Sequence, residues 1–461
     1  MTAPQPVLTA AEMRAAEDQL VDRGVSVDKL MLRAGRGAAE WVWRIAAGRS
    51  VTVLCGPGNN GGDGYVIAEI LRQRSIDVTV VAPLPPRTDV ARGARSRYGG
   101  TIASDARGAV LVDCLFGTGL TRPLPDDLSD LLRKLRGTHD YAVAIDLPSG
   151  VDADTGALLD ERLERYDLTL ALGAWKRAHW LMPGLPLMGE RRLVPLGMDV
   201  PGSAASLSPR PTLSAPEAAS HKYTRGLAGI VGGAMTGAAV LASEAAMRAG
   251  AGYVKLFSEH SHPAAPAGLV IEPGDLVDTL RDERIRALLV GPGLGRDEEA
   301  RTRLWATLGA DRPLVLDADA LVVLGKNDLA RRSAPVVLTP HAGELAALCR
   351  TFRITGENKV AQARALALAS GAVVLAKGAD NVLTDGANLR FFPSPSSWLS
   401  TAGSGDVLAG IVVSRLAMAG NPFKACEEAV WLHAEAARNC GPAFTAGELA
   451  NGISSAYRSL L

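Results

Sequence analysis

The sequence carries no excess of charge of either sign, since Lys plus Arg and Asp plus Glu each number 49 among 461 residues. A chain so balanced offers no electrostatic footprint for nucleic acid or for an anionic membrane. Aromatic residues make up only 5% of the chain, which also disfavours the stacking platforms of single-strand binders. We therefore expect small-molecule partners, with no nucleic acid and no membrane among them.

Cysteines are few, and no two of them form a CxxC pair. An odd, unevenly spaced set argues against both a disulfide framework and a zinc site. The sequence predicts ordinary buried thiols at these positions. The five are Cys55, Cys114, Cys349, Cys426 and Cys440.

Long apolar runs are also lacking, because none approaches the roughly 18 residues that a membrane-spanning helix needs. The first twenty residues have no basic stretch followed by an apolar run, so no secretory signal is predicted. A cytoplasmic enzyme is the expectation. Glycine, by contrast, is abundant at 49 residues, which favours tight loops that can approach phosphates closely.

Short apolar runs alternate with helical patterns in two successive series, as in a parallel sheet covered by helices. The first series predicts strands at 51–55, 77–82, 109–113, 141–146 and 167–172, with a helix at 65–74. The second predicts strands at 226–232, 252–257, 287–290, 313–317, 335–338 and 372–376, with helices at 236–248, 359–370 and 406–419. Between them, residues 200–220 are rich in proline and serine. We predict domains at 1–205 and 221–461 joined by a linker at 206–220.

A glycine-rich segment, CGPGNNGGDGYV, runs from Cys55 to Val66 between a predicted strand and a helix. Its glycines permit positive φ and close backbone approach, and amides at a helix start bind anions. Asn59, Asn60 and Asp63 add side chains that can bind a ribose, an amide or a metal. The pattern is neither GxGxxG nor a P-loop.

Two further segments, DCLFGTGLTRPL (113–124) and AIDLPSGVDADTG (144–156), follow predicted strands. Ligands of parallel α/β sheets bind at the carboxyl ends of strands. Asp113 and Asp146 stand there, where a carboxylate can ligate a cation or act as a base. Either one alone could equally be a helix cap.

The motifs NNGGDG, DxxFGTG and DLPSGVD, in this order, resemble the NAD(P)H-hydrate epimerase family over roughly residues 8–200. The resemblance extends to LMLRAG (30–35) and WKRAHWLMPG (175–184), although the family usually has PK where this chain has Trp175 before Lys176. It implies a Rossmann-like, doubly wound domain and acid–base roles for Asp146 and Lys176. It implies a potassium ion held by Asn60, Asp113 and Ser149. The implied substrate contacts are Asn59, Asn60, Gly61, Gly62, Asp63, Gly117, Thr118, Gly119, Leu120, Thr121, Arg122, Pro123 and Asp146.

In the second half, TAGSGDVLAG (401–410) places Gly403, Ser404 and Gly405 before Asp406 at the start of an apolar helical pattern. Amides at a helix start stabilise the charge on a transferring phosphoryl group. Asp406 could take a proton from an attacking hydroxyl, or it could simply cap the helix. The pattern resembles the ribokinase-like kinases, and its direct chemical reading is phosphorylation of a hydroxyl.

The wider set of motifs is more specific. GGAMTGAAVLA (232–242), GPGLG (291–295), TPHAGE (339–344) and TAGSGDVLAG resemble the ADP- or ATP-dependent NAD(P)H-hydrate dehydratase family. The resemblance implies a ribokinase-like α/β domain with Mg²⁺ bridging the phosphates of ADP or ATP. It implies hydrated-nucleotide contacts from Ala238, Gly293, His341 and Asp406. The implied adenine-nucleotide contacts are Lys377, Gly378, Ala379, Asp380, Asn381 and Gly405. His260 and His262 have no third ligand nearby and are interpreted as loop residues.

Taken together, the resemblances predict a bifunctional nicotinamide-nucleotide repair enzyme. One domain would epimerise the R and S forms of hydrated NADH or NADPH. The other would use ADP or ATP to phosphorylate the S form's hydroxyl, so that phosphate leaves and the reduced ring returns. A vitamin-type, ribokinase-like kinase fused to a nucleotide-binding domain is the alternative, and a non-catalytic nucleotide sensor is a third reading. A homo-oligomer is expected.

Overall fold

A computed structural model of the chain describes residues 5–198, 200 and 205–461. They divide into two units, which we call the N-terminal unit (Gln5–Ser206) and the C-terminal unit (Leu207–Leu461). Within these residues, no helix is both long enough and apolar enough to cross a membrane. All five cysteines are free, four are buried and Cys440 is partly buried, in agreement with the absence of a disulfide framework.

The N-terminal unit alternates strands and helices along the chain. Its strands are β1 (Gln5–Leu8), β2 (Val51–Cys55), β3 (Val78–Val81), β4 (Thr101–Ala103), β5 (Gly108–Cys114), β6 (His139–Ile145), β7 (Leu168–Leu172), β8 (Trp175–Lys176) and β9 (Glu190–Val194). Its helices are α1 (Ala10–Asp22), α2 (Val27–Ala46), α3 (Asn59–Gln73), α4 (Asp89–Arg97) and α5 (Asp126–Arg136), with 3₁₀ turns at Arg177–Trp180 and Leu185–Met188.

Seven of these strands form one parallel sheet in the order β4-β3-β2-β5-β6-β7-β9. The order reverses between β2 and β5, which is the switch point where open α/β sheets bind ligands. Both faces are covered: Val53 packs with α2 and α3, whereas Leu54 packs with α5. The Rossmann-like, doubly wound prediction is confirmed.

Helix α3 begins at Asn59, six residues before the predicted start, so the sequence NNGGDG is helical rather than a loop. None of its glycines is among the residues with positive φ, so the conformational freedom that glycine permits is not used there. Close approach is the real requirement. A Cβ on Gly56 would lie 1.7 Å from the Leu115 carbonyl oxygen, and one on Gly61 would lie 1.9 Å from the Gly56 oxygen.

The C-terminal unit continues from β10 (Ala205–Leu207), at the boundary. Its other strands are β11 (Leu227–Val231), β12 (Tyr253–Phe257), β13 (Val270–Glu272), β14 (Ile285–Val290), β15 (Leu314–Leu316), β16 (Val336–Leu338), β17 (Val373–Ala376), β18 (Val382–Thr384) and β19 (Leu389–Phe391). Its helices are α6 (Thr236–Arg248), α7 (Leu276–Thr279), α8 (Glu298–Gly309), α9 (Asp319–Val323), α10 (Ala342–Phe352), α11 (Lys359–Ser370), α12 (Ser404–Ala419), α13 (Pro422–Cys440) and α14 (Ala446–Ser459), with a 3₁₀ turn at Ser397–Leu399.

Strands β11 to β19 form a sheet in the order β13-β12-β11-β14-β15-β16-β17-β18-β19. It is parallel as far as β17, and β18 and β19 run antiparallel. The order reverses between β11 and β14, so this unit has its own switch point. Helices α6, α12, α13 and α14 pack in one core over the sheet.

The predicted linker, 206–220, packs along the C-terminal unit from residue 207 onward. The Ser208 amide donates to the Phe391 carbonyl at 2.7 Å, and the Leu213 amide donates to the Leu460 carbonyl at 2.7 Å. Leu213 is only 3% exposed. Within the predicted linker, one leucine and the backbone thus bind to the C-terminal unit. Residues 201–204 lie outside the described residues, and the division into three segments stays a prediction.

Candidate active sites

A cavity of about 600 Å³ lies in the N-terminal unit at the carboxyl ends of β2, β5 and β6. Helix α1, the start of α3 and the loops after β5 and β6 all supply side chains to it. Its polar lining includes Arg14, Glu17, Asp18, Asn59, Asn60, Asp63, Arg87, Thr88, Thr118, Asp146 and Lys176. A cavity of this size suits part of a nucleotide-sized ligand.

Asp146 and Lys176 form a buried ion pair on the floor of this cavity. The Lys176 ammonium donates to Asp146 Oδ1 and, at 2.6 Å, to the Leu172 carbonyl. Asp146 follows β6 with φ of +69°, a strained conformation for a residue with a Cβ. The Lys176 side chain is 1% exposed, so each charge is stabilised mainly by the other. The structure thus brings together the two predicted acid–base residues.

His179 holds this pair in place through hydrogen bonds to the backbone of both residues. The sequence analysis gave it no role, although it lies in the WKRAHW stretch. Its Nδ1 accepts from the Lys176 amide at 2.9 Å, so its Nε2–H donates to the Asp146 carbonyl at 2.8 Å. Burial lowers the pKa of His179 to about 4. A neutral imidazole is therefore a positioning group rather than a proton carrier at neutral pH.

Asp113 is fully buried and already accepts four hydrogen bonds. Leu115 N and the Ser149 hydroxyl donate to Oδ1 at 3.0 and 2.8 Å. Ser149 N and the Tyr166 hydroxyl donate to Oδ2 at 3.0 and 2.6 Å. Burial raises the pKa of Asp113, against the effect of these donors. Asp113 therefore ties the loops after β5 and β6 together, and neither it nor Ser149 is in the cavity lining.

The Asn60 side chain presents the opposite case, because its amide nitrogen and oxygen are both buried without a hydrogen-bond partner. A Cβ on Gly117 would lie 3.4 Å from Asn60 Cγ and 3.3 Å from Asp146 Oδ2, so these three residues meet at the switch point. Buried unpaired amides are costly. The Asn60 amide is thus free for a ligand or a cation.

The other predicted substrate contacts separate into two groups. Asn59, Asp63, Gly117, Thr118, Gly119 and Leu120 line the cavity, whereas Gly61, Gly62, Thr121, Arg122 and Pro123 are outside its lining. Gly61 and Gly62 instead pack against Gly56 and Met31. Burial, followed by the charges of Asp146 and Glu17, raises the pKa of Asp63 well above its usual range.

In the C-terminal unit, the side chains of Asp317, Thr339 and Lys377 meet at the ends of the neighbouring strands β15, β16 and β17. The Thr339 hydroxyl donates to Asp317 Oδ1 at 2.7 Å, and the Lys377 ammonium donates to the same oxygen. Asp317 is 1% exposed. The sequence analysis gave Asp317 no role. Its carboxylate holds the ammonium of a predicted nucleotide-binding residue.

Asp406 is the third residue of α12, whose N-cap is Gly403 with φ of +88°. The amides of Gly405 and Asp406 thus belong to the first turn, where a helix offers them no acceptor. A Cβ on Gly405 would lie 3.5 Å from Lys377 Nζ. Burial and the charge of Asp317 raise the pKa of Asp406 to about 6, against the effect of Lys377. A carboxyl with such a pKa can accept a proton near neutral pH.

Two other predicted contacts are engaged locally. His341 caps α10: its Nδ1 accepts from Gly343 N and Glu344 N at 3.0 and 3.2 Å, and its Nε2 lies 3.2 Å from Glu344 Oε1. Lys359, which the sequence analysis missed, donates to Asp380 Oδ1 at 2.6 Å. This bond braces the turn at 377–381.

The predicted contacts Gly293 and Ala238 meet through Met235, beside the switch point of this sheet. Met235 N donates to the Gly293 carbonyl at 2.9 Å, and Ala238 N donates to the Met235 carbonyl at 3.3 Å. Gly293 has φ of +65°, and a Cβ there would lie 2.2 Å from the Met235 oxygen. Glycine is therefore required at this position.

Two family models match the chain. The model described as NAD(P)H-hydrate dehydratase matches residues 228–458. The model described as YjeF-related protein N-terminus matches residues 27–178. The two matches fall in the C-terminal and N-terminal units respectively.

Among curated proteins, the chain is 34% identical to the bifunctional NAD(P)H-hydrate repair enzyme of Mycobacterium tuberculosis strain H37Rv, over 88% of each chain. Among solved structures, an Enterococcus faecalis protein described as ribokinase-like is 19% identical with a TM-score of 0.50, covering 57% of this chain and 98% of its own. That likeness concerns the fold. A Bacillus subtilis ADP/ATP-dependent NAD(P)H-hydrate dehydratase, crystallised with ATP and Mg²⁺, is 29% identical with a TM-score of 0.48, covering 54% and 95%.

Proposed function

Since this chain belongs to the family of bifunctional NAD(P)H-hydrate repair enzymes, we propose that its two units repair hydrated NADH and NADPH in two steps. The N-terminal unit interconverts the R and S epimers. The C-terminal unit dehydrates the S epimer at the expense of ADP or ATP. The observation that carries this proposal is that each unit holds its own carboxyl and lysine beside the carboxyl ends of its parallel strands: Asp146 paired with Lys176, and Asp406 near Lys377.

Epimerisation requires the bond between the ring carbon and its hydroxyl oxygen to open and re-form, or the ring itself to open. Either route needs a proton donor and an acceptor beside the ring. Asp146 and Lys176 place one proton-transfer pair there, and His179 and the Leu172 carbonyl orient it. The unpaired Asn60 amide lies beside Asp146 and is free to bind the substrate's carboxamide.

Dehydration begins with transfer of a phosphoryl group from ADP or ATP to the ring hydroxyl, which leaves AMP or ADP, and is followed by loss of phosphate and of a proton from the neighbouring ring carbon. Asp406 accepts the hydroxyl proton, and the amides of the first turn of α12 face the transferring phosphoryl group. Lys377, held by Asp317, adds positive charge beside Gly405. The turn at 377–381, braced by Lys359, contacts the adenine nucleotide.

Mg²⁺ would accompany the nucleotide. Within the described residues, no group of three or more His, Cys, Asp or Glu side chains could hold a metal ion. Mg²⁺ usually keeps several waters and binds through substrate phosphates with one or two carboxylates. The carboxylates around Asp406 fit that mode, in which the ion would neutralise phosphate charge.

Potassium would be held in the N-terminal unit by Asn60, Asp113 and Ser149. The orphaned Asn60 oxygen fits a cation, while the Asp113 and Ser149 oxygens would have to share their present hydrogen bonds. An all-oxygen set suits such an ion. We expect potassium, compared with tetramethylammonium, to raise the melting temperature of the wild-type chain. Asn60→Leu should abolish that increase, and an equal increase in both chains would contradict the assignment.

The direct test is to supply hydrated NADH with ADP or ATP and to follow the return of absorbance by the reduced ring. We expect complete conversion of an epimer mixture. A vitamin-type kinase would leave the hydrate untouched and consume nucleotide only with a vitamin-like alcohol. A sensor would bind without turnover. A cytoplasmic location and a homo-oligomeric state stay predictions.

A further inference from the structure

Helix α1 forms one wall of the N-terminal cavity. Residues that follow the sheet strands, among them Asp146 and Lys176, form what we call its floor. Met13, Arg14, Glu17, Asp18 and Val21 line the cavity at the spacing of one helix face. Capping by Thr9, through a reciprocal capping box with Glu12, fixes the start of this helix. The position of Glu17 on the wall is therefore well determined by local structure.

Glu17 differs from the paired carboxylates of this unit. Across residues 5–198, neither its carboxyl nor that of Asp63 takes part in a described hydrogen bond or ion pair. Asp63 is 8% exposed and lines the same cavity. Asp146, by contrast, is bonded to Lys176. Apart from the exposed Asp18, the cavity thus contains one carboxylate paired with a lysine and two carboxyls, those of Glu17 and Asp63, without a hydrogen-bond or ion-pair partner.

Charge and burial around Glu17 favour its protonated form. Burial raises its pKa, Lys176 opposes this, and the charges of Asp146 and Asp18 raise it further, while Arg14 lowers it. Asp63, from α3, repels it in the ionised state. Carboxyls whose surroundings push their pKa values apart commonly divide into an acid and a base.

Reversal of configuration at the hydroxyl-bearing carbon needs proton transfer on both faces of the ring. In the dissociative route, the ring nitrogen's lone pair forms a C=N bond as the C–O bond breaks, and the leaving hydroxyl takes a proton and departs as water. Water then adds to the other face, the C=N electrons return to nitrogen, and the added water loses a proton. One group on one side of the ring cannot serve both events.

We propose that Glu17 is the second proton-transfer group of this cavity, acting from the α1 wall while Asp146, paired with Lys176, acts from the floor. In one direction Glu17 gives its proton to the leaving hydroxyl and Asp146 takes the proton of the added water. The reverse reaction exchanges these roles, and solvent in the cavity resets the protons between turnovers. This inference rests on the proposed epimerase activity of the N-terminal unit.

The test uses the full-length chain, pure R epimer and no nucleotide, so that dehydration cannot drain the product. Chromatographic separation of the epimers gives kcat and KM, corrected for spontaneous epimerisation. For Glu17→Gln we expect kcat to fall about 100-fold, the lower end of the range for loss of an acid–base group, with KM changed less than threefold. The high-pH decline of the kcat profile, caused by loss of the Glu17 proton, should disappear.

Asp22→Asn is the matched control, because Asp22 is an exposed acid on the same helix outside the cavity lining; it should leave kcat and its pH profile unchanged. Because dehydration reports only on the C-terminal unit, thermal unfolding of Glu17→Gln, compared with that of the wild type, reports whether the N-terminal unit is folded. If Glu17→Gln is insoluble, Glu17→Asp replaces it in the test, and its kcat should still decline at high pH, with the midpoint of the decline shifted. A kcat within threefold of wild type, an effect on KM alone or an unchanged pH limb would overturn the proposal. A wild-type chain without epimerase activity would instead refute the proposed function.

Discussion

Both sites lie beside the carboxyl ends of parallel strands, each in its own sheet, yet their lysines have different partners. In the N-terminal unit, Lys176 pairs directly with Asp146, the proposed acid–base residue. In the C-terminal unit, Lys377 pairs with Asp317, and Asp406 keeps a raised pKa of about 6. The lysine therefore pairs with the proposed acid–base carboxyl in one unit and with a neighbouring carboxyl in the other, which leaves Asp406 without a direct counter-charge.

The largest effect should come from removing the unpaired carboxyl of the C-terminal site. We expect Asp406→Asn to lower nucleotide-dependent dehydration by about 10²–10⁴-fold, because the general base is lost. Epimerisation by the same protein should be unchanged and serves as the internal control. A loss of less than about tenfold would remove Asp406 from this role.

Breaking the ion pair between Asp146 and Lys176 should chiefly lower the stability of the N-terminal unit. Lys176→Met leaves Asp146 buried without a counter-charge, which should lower the free energy of unfolding of that unit by about 3–5 kcal/mol. Calorimetry of the full-length chain measures this. Lys134→Met is the control, because its pair with Asp105 is about half exposed and should contribute less than about 1 kcal/mol. Equal effects of the two variants would show that burial of the Lys176 pair is unimportant.

The boundary between the units gives a third comparison, between chains 207–461 and 216–461. The shorter chain loses the buried Leu213 and the hydrogen bonds of Ser208. We expect its free energy of unfolding to be lower by about 3 kcal/mol, from one buried leucine and about two hydrogen bonds. Denaturant titration measures the difference, and identical stabilities would show that these contacts do not stabilise the C-terminal unit.

The smallest effect concerns the group that holds Lys377. Asp317 raises the pKa of Asp406, so Asp317→Asn should move the rise of dehydration activity with pH to lower pH. The released Lys377 should also cost about tenfold in kcat, since each tenfold corresponds to about 1.4 kcal/mol of lost positioning. The measurement is the pH profile of dehydration. A rise in activity that moves to higher pH would contradict the effect of Asp317 on the pKa of Asp406.

Much of the fold could be predicted from the sequence, because buried parallel strands are continuous apolar runs bounded by glycine or proline. The predicted strand at 51–55 and the helices at 236–248 and 359–370 have the bounds that the structure gives. The start of α3 was wrong because glycines and asparagines usually break helices. Here the close packing of Gly61 against Gly56 and of Gly62 against Met31 overrides that preference.

The sites were only partly predictable. Motifs located Asp146 and Asp406 at strand or helix ends, but no local pattern shows that Lys176, thirty residues later, bonds to Asp146. Glu17 and His179 were missed for the same reason, since their roles arise from tertiary packing. Asp113 was correctly predicted to lie at the end of a strand. Its four hydrogen-bond donors could not be predicted from the spacing of residues in the sequence.

The central claim is that two independent sites in one chain act in succession, and complementation between two full-length variants tests it directly. The measurement is the fraction of an R and S hydrate mixture that returns to the reduced nucleotide with ADP or ATP. We predict that Asp146→Asn converts only the S fraction, that Asp406→Asn converts essentially none, and that both together convert all of it. Complete conversion by Asp146→Asn alone, after correction for spontaneous epimerisation, or no gain from mixing, would contradict the account.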